Sequence, residues 1–192
     1  RELAQNAHDA IVRRRTTSEH PESCPPGTLV IRFEEAAGRR YITFDDNGAG
    51  LSADEAREFL ATIGRGQTGQ DRADTSRSDT GDLVGQFGVG LLAAFLVADR
   101  VEVESRRFDL PEDAGVRWVN EGKQTYRLER AERREAGTRV RLRAREDMAH
   151  LATEGAVRRA LERWARYLDL RMLFPSGEGA GGGVLPWRHH EG

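Results

Sequence analysis

Three short segments hold residues whose types and spacing can do chemistry. They are Glu2-Leu-Ala-Gln-Asn6-Ala-His-Asp9-Ala10, Asp46-Asn-Gly48-Ala-Gly50, and the run Gly85, Gln86, Phe87, Gly88, Val89, Gly90. Glu2, Asn6, Asp9 and Arg13 recur every three or four residues, which on a helix is one stripe. Glu2 and Asn6 then address one point beside that helix. An amide oxygen is a neutral hard ligand that suits magnesium, which keeps several of its waters. A carboxylate next to it, not itself a ligand, can orient or deprotonate an attacking water. Asp46 offers acceptors only, and a buried carboxylate is a strong acceptor for an exocyclic amine such as that of adenine. Gly48 and Gly50 are expected to let the backbone approach a flat base. Gly85, Gly88 and Gly90 can turn successive backbone amides toward one anion at a helix start.

Taken singly, each segment has an ordinary reading: a solvated polar stripe, an Asp-Asn-Gly turn, a glycine loop. Taken together, in one order, they outline a nucleotide site with metal and phosphates at one end and a base-reading carboxylate at the other. The stretch Gly64-Arg65-Gly66-Gln-Thr-Gly69 also fits a dinucleotide-binding pattern. It follows an expected helix instead of a strand, so it is set aside.

The elements that must position these groups are legible from periodicity. Residues 2 to about 15 read as a helix, with Leu3, Ala7, Ala10 and Ile11 on its apolar side. Residues 16 to 27 form a polar, Pro-rich loop. Thr28–Glu34 and Tyr41–Asp46 alternate as strands around a turn at Gly38, which makes a hairpin. In the second strand Ile42, Phe44 and Asp46 share a face, so the carboxylate points into the domain. Ser52 and Glu55 form a capping box for a helix of about 53 to 63. Residues 64 to 82 carry almost no apolar side chain and have the length and composition of a mobile lid. Val84 to Ala98 is apolar almost all round and reads as a buried helix. Strands are expected at Val101–Ser105, at about 116 to 128 with a turn near Gly122, and at Thr138–Ala144. A last helix spans about 154 to 168. Residues 1–174 are then one domain, and 175–192 a Gly-rich linker or tail.

The chain has 192 residues, 32% of them charged, and a net charge of -2. That supplies no electrostatic reason to expect nucleic acid or an anionic membrane as partner. No apolar run reaches the roughly 20 residues that span a bilayer. The lone Cys24 cannot form an internal disulfide. A reducing cytoplasm is the expectation. Of 30 basic residues only Lys123 is lysine, so basic contacts here are arginine contacts. The chain opens at Arg1, and the reading is of an N-terminally truncated piece of something longer.

With the three segments assembled, the chain resembles the GHKL ATPases. Within them it is most similar to the N-terminal ATP-binding domain of the ninety-kilodalton heat-shock chaperones, in their bacterial HtpG-like branch. The resemblance covers residues 1 to about 147 well and 148 to 174 more loosely. It rests on Arg1 to Ala10, on Leu60-Ala-Thr-Ile63, on Gly85 through Val101, and on Gly137-Thr138. It implies an α/β fold of the Bergerat type, a two-layer sandwich with a mixed sheet covered by helices on one face. It implies ATP and magnesium as ligands, slow hydrolysis, unfolded clients and a homodimer in the full-length protein. By position, Glu2 corresponds to the general base and Asn6 to the magnesium and phosphate ligand. Asp46 corresponds to the adenine-reading carboxylate, Asp9 to a nearby polar support, and Thr138 to a water-mediated contact near the base. Arg65 stands beside the phosphates, and Gly85 to Gly90 wrap them. Phe59 and Leu91 depart from the family's usual Asn and Phe. Two other readings stay open: a histidine-kinase-like or mismatch-repair-like relative, and a nucleotide-binding module without turnover.

Overall fold

The structure is a computed structural model, and it describes residues 1–58, 91–123, 125–165 and 168–178. Helix α1 runs Glu2–Thr17. Its buried side is Ala4, Ala7, Ala10 and Ile11, mostly small residues that let the helix axis approach the sheet. Arg14 and Arg15 occupy its last turn, where cations complement the helix dipole. Strands β1 (Thr28–Ala36) and β2 (Arg39–Asp46) form the expected hairpin. Its two turn residues, Ala37 and Gly38, both have positive φ (50° and 70°), the two-residue turn whose twist matches paired strands.

Strands β3 (Ala98–Arg106), β4 (Gly115–Asn120), β5 (Tyr126–Ala131) and β6 (Gly137–Ala144) follow. Helix α2 (Glu154–Ala165) and two short strands, β7 (Arg171–Phe174) and β8 (Gly177–Glu178), complete the described chain. Among the described residues the sheet has eight strands in the order β5-β4-β3-β6-β2-β1-β7-β8. Only β1 and β7 pair in parallel, so the sheet is mixed. The apolar residues of one face pack into two clusters. One joins α1 and α2 to β1, β2 and β7 through Ile11, Leu29, Ile31, Leu161 and Met172. The other joins the segment 91–98 to β3, β4 and β6 through Leu91, Val101, Trp118 and Leu142. Phe44 touches both, so it is the seam of the core.

The opposite face is paved with ions. Across one line of the register Asp45, Arg139, Glu104, Arg117 and Glu129 stand side by side on β2, β6, β3, β4 and β5. Their signs alternate, and neighbours contact at 2.9, 3.5, 3.6 and 3.2 Å. Cross-strand pairs of opposite charge stabilise a sheet by a few tenths to about 1 kcal/mol each.

One expectation changes, one strand is new, and several expectations fall outside the described residues. Residues 91–94 are helical, but 95–97 are turns and β3 already starts at Ala98. The cause is visible: the Val97 carbonyl accepts the Arg145 amide at 2.9 Å, so the chain has joined the sheet by then. Leu96 is 70% exposed, so the segment is not buried all round. Strand β7 was not anticipated, because a four-residue run carries too little periodicity. The expected lid, 64–82, the loop Gly85 to Gly90 and Arg65 lie outside the described residues, as does the end of the helix expected at about 53 to 63. Its capping box is present: Ser52 N–H donates to Glu55 Oε2 at 2.7 Å, and Glu55 N–H to Ser52 Oγ at 3.2 Å.

Trp118 is 0% exposed at the centre of the second cluster. Trp118→Ala is expected to cost about 3–5 kcal/mol of stability, and Leu96→Ala to change it by about 0.5 kcal/mol or less. Urea unfolding of the two variants checks both.

Candidate functional site

The inward alternation of three neighbouring strands runs apolar, apolar, polar. In β2 it is Ile42, Phe44, Asp46; in β6, read backwards, Leu142, Val140, Thr138; in β3, Val101, Val103, Ser105. The register places Phe44, Val140 and Val103 in one row, and Thr138 beside Ser105 in the next. Asp46 ends the same row on β2, where its Oδ1 accepts the Thr138 amide at 3.2 Å. A polar line therefore crosses the helix-covered face of the sheet, directly above an apolar one.

Asp46 Oδ1 also accepts the Gly48 amide at 2.9 Å. Oδ2 has no hydrogen-bond partner among the described residues and is left to the cavity that Asp46 lines. That cavity, about 40 Å³, is walled by Asn6, Leu29, Phe44, Leu51, Leu91 and Thr138, among others. Burial raises the Asp46 carboxyl to about 7, against the two backbone amides and the charge of Arg133, which favour its ionised form.

Ser105 is fully buried. Its Oγ accepts the Leu51 amide at 2.9 Å, donates to the Gly137 carbonyl at 3.2 Å and lies 2.8 Å from Thr138 Oγ1. On the sheet's other face, Arg133 and Arg139 bind Asp45 at 2.8 and 2.9 Å, and Arg32 reaches it at 3.0 Å. Burial alone would raise the Asp45 carboxyl, but Arg133 and Arg139 hold it below its usual range.

The loop after Asp46 is fastened to α1. Ala49 N–H donates to the Ala10 carbonyl at 2.8 Å. Arg13 Nη2 donates to the Gly50 carbonyl at 2.5 Å, and Arg14 Nη1 to the Asn47 carbonyl at 2.7 Å. Asn47 bridges Thr28 N–H and the Pro26 carbonyl, each at 2.8 Å. The two glycines serve this fastening. A Cβ on Gly48 would sit 2.6 Å from Ala10 Cβ, and one on Gly50 would overlap the Arg106 carbonyl oxygen. Gly50 also has φ +66°. These glycines, expected where a base approaches, also admit a helix and a neighbouring strand end.

The structure brings Asn6, Asp46, Leu91 and Thr138 to one cavity. Glu2 lines a neighbouring, larger apolar cleft of about 300 Å³ between α1, the segment 93–97 and α2. Leu3 and Phe44 line both spaces. The Glu2 carboxylate is 42% exposed and accepts from Arg1 Nε at 2.8 Å. Asp9 is held by Gln5 Nε2 at 2.9 Å and lies 3.2 Å from His8 Nδ1. Sequence reasoning missed Ser105, Arg133 and Arg14. Ser105 had a signal, the polar end of an inward apolar alternation; Arg133, in a loop, had none.

The family described as histidine kinase-, DNA gyrase B- and HSP90-like ATPases matches residues 2–143. The chain belongs to this family. Among relatives of this GHKL ATPase domain is the protein named chaperone protein HtpG from Alkalilimnicola ehrlichii, 37% identical over 180 residues. That match spans 92% of this chain and 28% of the relative. The HtpG proteins of Actinobacillus succinogenes and Paraburkholderia xenovorans are each 36% identical, over 88% and 93% of this chain. The chain thus spans a little over a quarter of the length of these relatives.

Asp46 titrates near 7 in the fold and at about 3.9 when unfolded. Between those values the folded, nucleotide-free chain binds more protons than the unfolded chain. The stability this confers is complete below about pH 4 and is lost as pH rises through 7. Asparagine keeps an Oδ1 acceptor for the Gly48 and Thr138 amides and carries no charge. Asp46→Asn is therefore expected to melt above wild type at pH 8 and to converge with it near pH 4. Thermal melts of the two chains across pH 4 to 8 check this.

Proposed function

We propose that this domain binds ATP and ADP and, in its parent protein, hydrolyses ATP slowly to drive the cycle of a chaperone. One observation carries the reading: a carboxylate whose Oδ1 is fixed by two backbone amides and whose Oδ2 faces a cavity shared with Asn6 and Thr138. An acceptor so fixed fits the exocyclic amine of adenine. The GHKL ATPase match and the HtpG names support the same assignment.

Glu2 is the proposed general base, with Asp9 as polar support. Among the described residues no three His, Cys, Asp or Glu side chains gather as a metal cage. Asn6, whose amide oxygen is a neutral hard donor in the cavity it shares with Asp46, is the residue that would hold magnesium, the other oxygens coming from phosphates and water. When bound there, the ion would supply charge neutralisation at the transferring phosphoryl group. Arg65 and the loop Gly85, Gln86, Phe87, Gly88, Val89, Gly90 are proposed to meet the phosphates, Gly48 and Gly50 to shape the base end, and Leu91 to close over the base. Unfolded clients and a homodimer belong to the same proposal for the parent, as does a cytoplasmic location without nucleic acid or membrane as partner. No helix among the described residues is long and apolar enough to cross a membrane.

Calorimetry with Mg-ADP tests the binding. Asp46→Asn turns a donor toward the adenine amine, and affinity is expected to fall by about 1–3 kcal/mol, roughly tenfold or more. Equal affinity for the two chains overturns the adenine assignment. In the parent protein, Glu2→Ala is expected to keep Mg-ADP affinity and lose steady-state turnover, by roughly 10²-fold or more. Unchanged turnover removes Glu2 from the chemistry.

A further inference from the structure

Ser105 makes three polar contacts with one proton to give. Its Oγ accepts from Leu51 N–H at 2.9 Å, which leaves one lone pair and the hydroxyl hydrogen. A carbonyl oxygen can only accept, so the hydrogen goes to Gly137 O, 3.2 Å away. The remaining lone pair then faces Thr138 Oγ1 at 2.8 Å, and that bond is made with the Thr138 hydrogen. The Thr138 hydroxyl is thereby spent as a donor. What it turns to the cavity is a lone pair, as does the Oδ2 of an ionised Asp46.

We propose that Ser105 is the positioning residue that sets the polarity of this cavity. By taking the Thr138 proton it leaves two acceptors facing the ligand, which selects a 6-amino purine over a 6-oxo purine. The proposal rests on the adenine reading above and adds a residue to it. A 6-oxo purine brings a carbonyl to these two acceptors, and burying such a mismatch is strongly penalised. Ser105 touches no ligand itself. It lies in the second strand from Asp46, behind Thr138, fully buried. With alanine at 105, the Thr138 hydroxyl loses its acceptor, turns freely and can donate to a carbonyl.

The test compares ADP with inosine diphosphate by calorimetry on the whole 192-residue chain, as wild type, Ser105→Ala, Thr138→Val and the double variant. Wild type is expected to prefer ADP. The preference should drop about fivefold or more in Ser105→Ala, by a similar factor in Thr138→Val, and no further in the double variant, because both act through one hydroxyl. Loss of affinity for both nucleotides in equal proportion makes Ser105 merely structural and overturns the proposal. So does a double variant whose losses add. Should Ser105→Ala fail to fold, Thr138→Val with Ser105→Cys replaces it, and an unchanged preference in both overturns the proposal equally. Wild type that binds inosine diphosphate as tightly as ADP overturns the adenine reading itself, before any variant is compared.

Discussion

Placing a carboxylate on the covered face of a sheet is the constraint around which this domain is arranged. A buried charge is tolerated only when its environment offers hydrogen bonds. Asp46 meets that requirement at one oxygen, with two backbone amides from two different segments. Both amides must therefore be delivered to the end of β2. The loop 47–51 is held by α1 through the Ala10 carbonyl, Arg13 and Arg14. The start of β6 is held by Ser105, which also takes the Leu51 amide. Helix, loop and three strands thus converge on one oxygen atom, and the other oxygen remains available. Pinning half of a functional group while leaving half exposed to a cavity is preorganisation in its simplest form.

Much of this was legible in the chain. The 3.6-residue and two-residue periods locate α1, the β1–β2 hairpin, β6 and α2, because each buries one side of a long enough element. Asp46 could be read as inward from Ile42 and Phe44 alone. What could not be read was register. Ser105 and Thr138 are 33 residues apart in sequence, and only strand pairing makes them neighbours. The same limit hid Arg133, whose partner Asp45 lies 88 residues away. The glycines were legible as close approaches, yet their partners, Ala10 and Arg106, come from tertiary contact. The segment 95–97 shows the converse failure: its composition suits a buried helix, but pairing of the following strand ends the helix first.

Arginine carries nearly all the positive charge, and the structure shows what that chemistry allows. Arg13, Arg14 and Arg106 each reach backbone carbonyls, which a flat guanidinium can do while keeping other N–H groups for a second partner. A lysine ammonium is a compact point charge and does not bridge loops in the same way. The fastening of the site to α1 is thus a consequence of which cation the sequence uses, as well as where it is placed.

The line of alternating ions across the outer face has a consequence for company. A broad sheet face is normally an invitation for a second sheet to stack on it. Here stacking would strip water from Arg139, Glu104, Arg117 and Glu129 together, and a dry apolar partner could return none of it. Because neighbouring signs cancel, the row also casts little field to draw a charged partner from a distance. The sheet therefore has one side that needs covering and one that discourages it, and aggregation through its broad outer face is opposed by the same pairs that hold its strands in line.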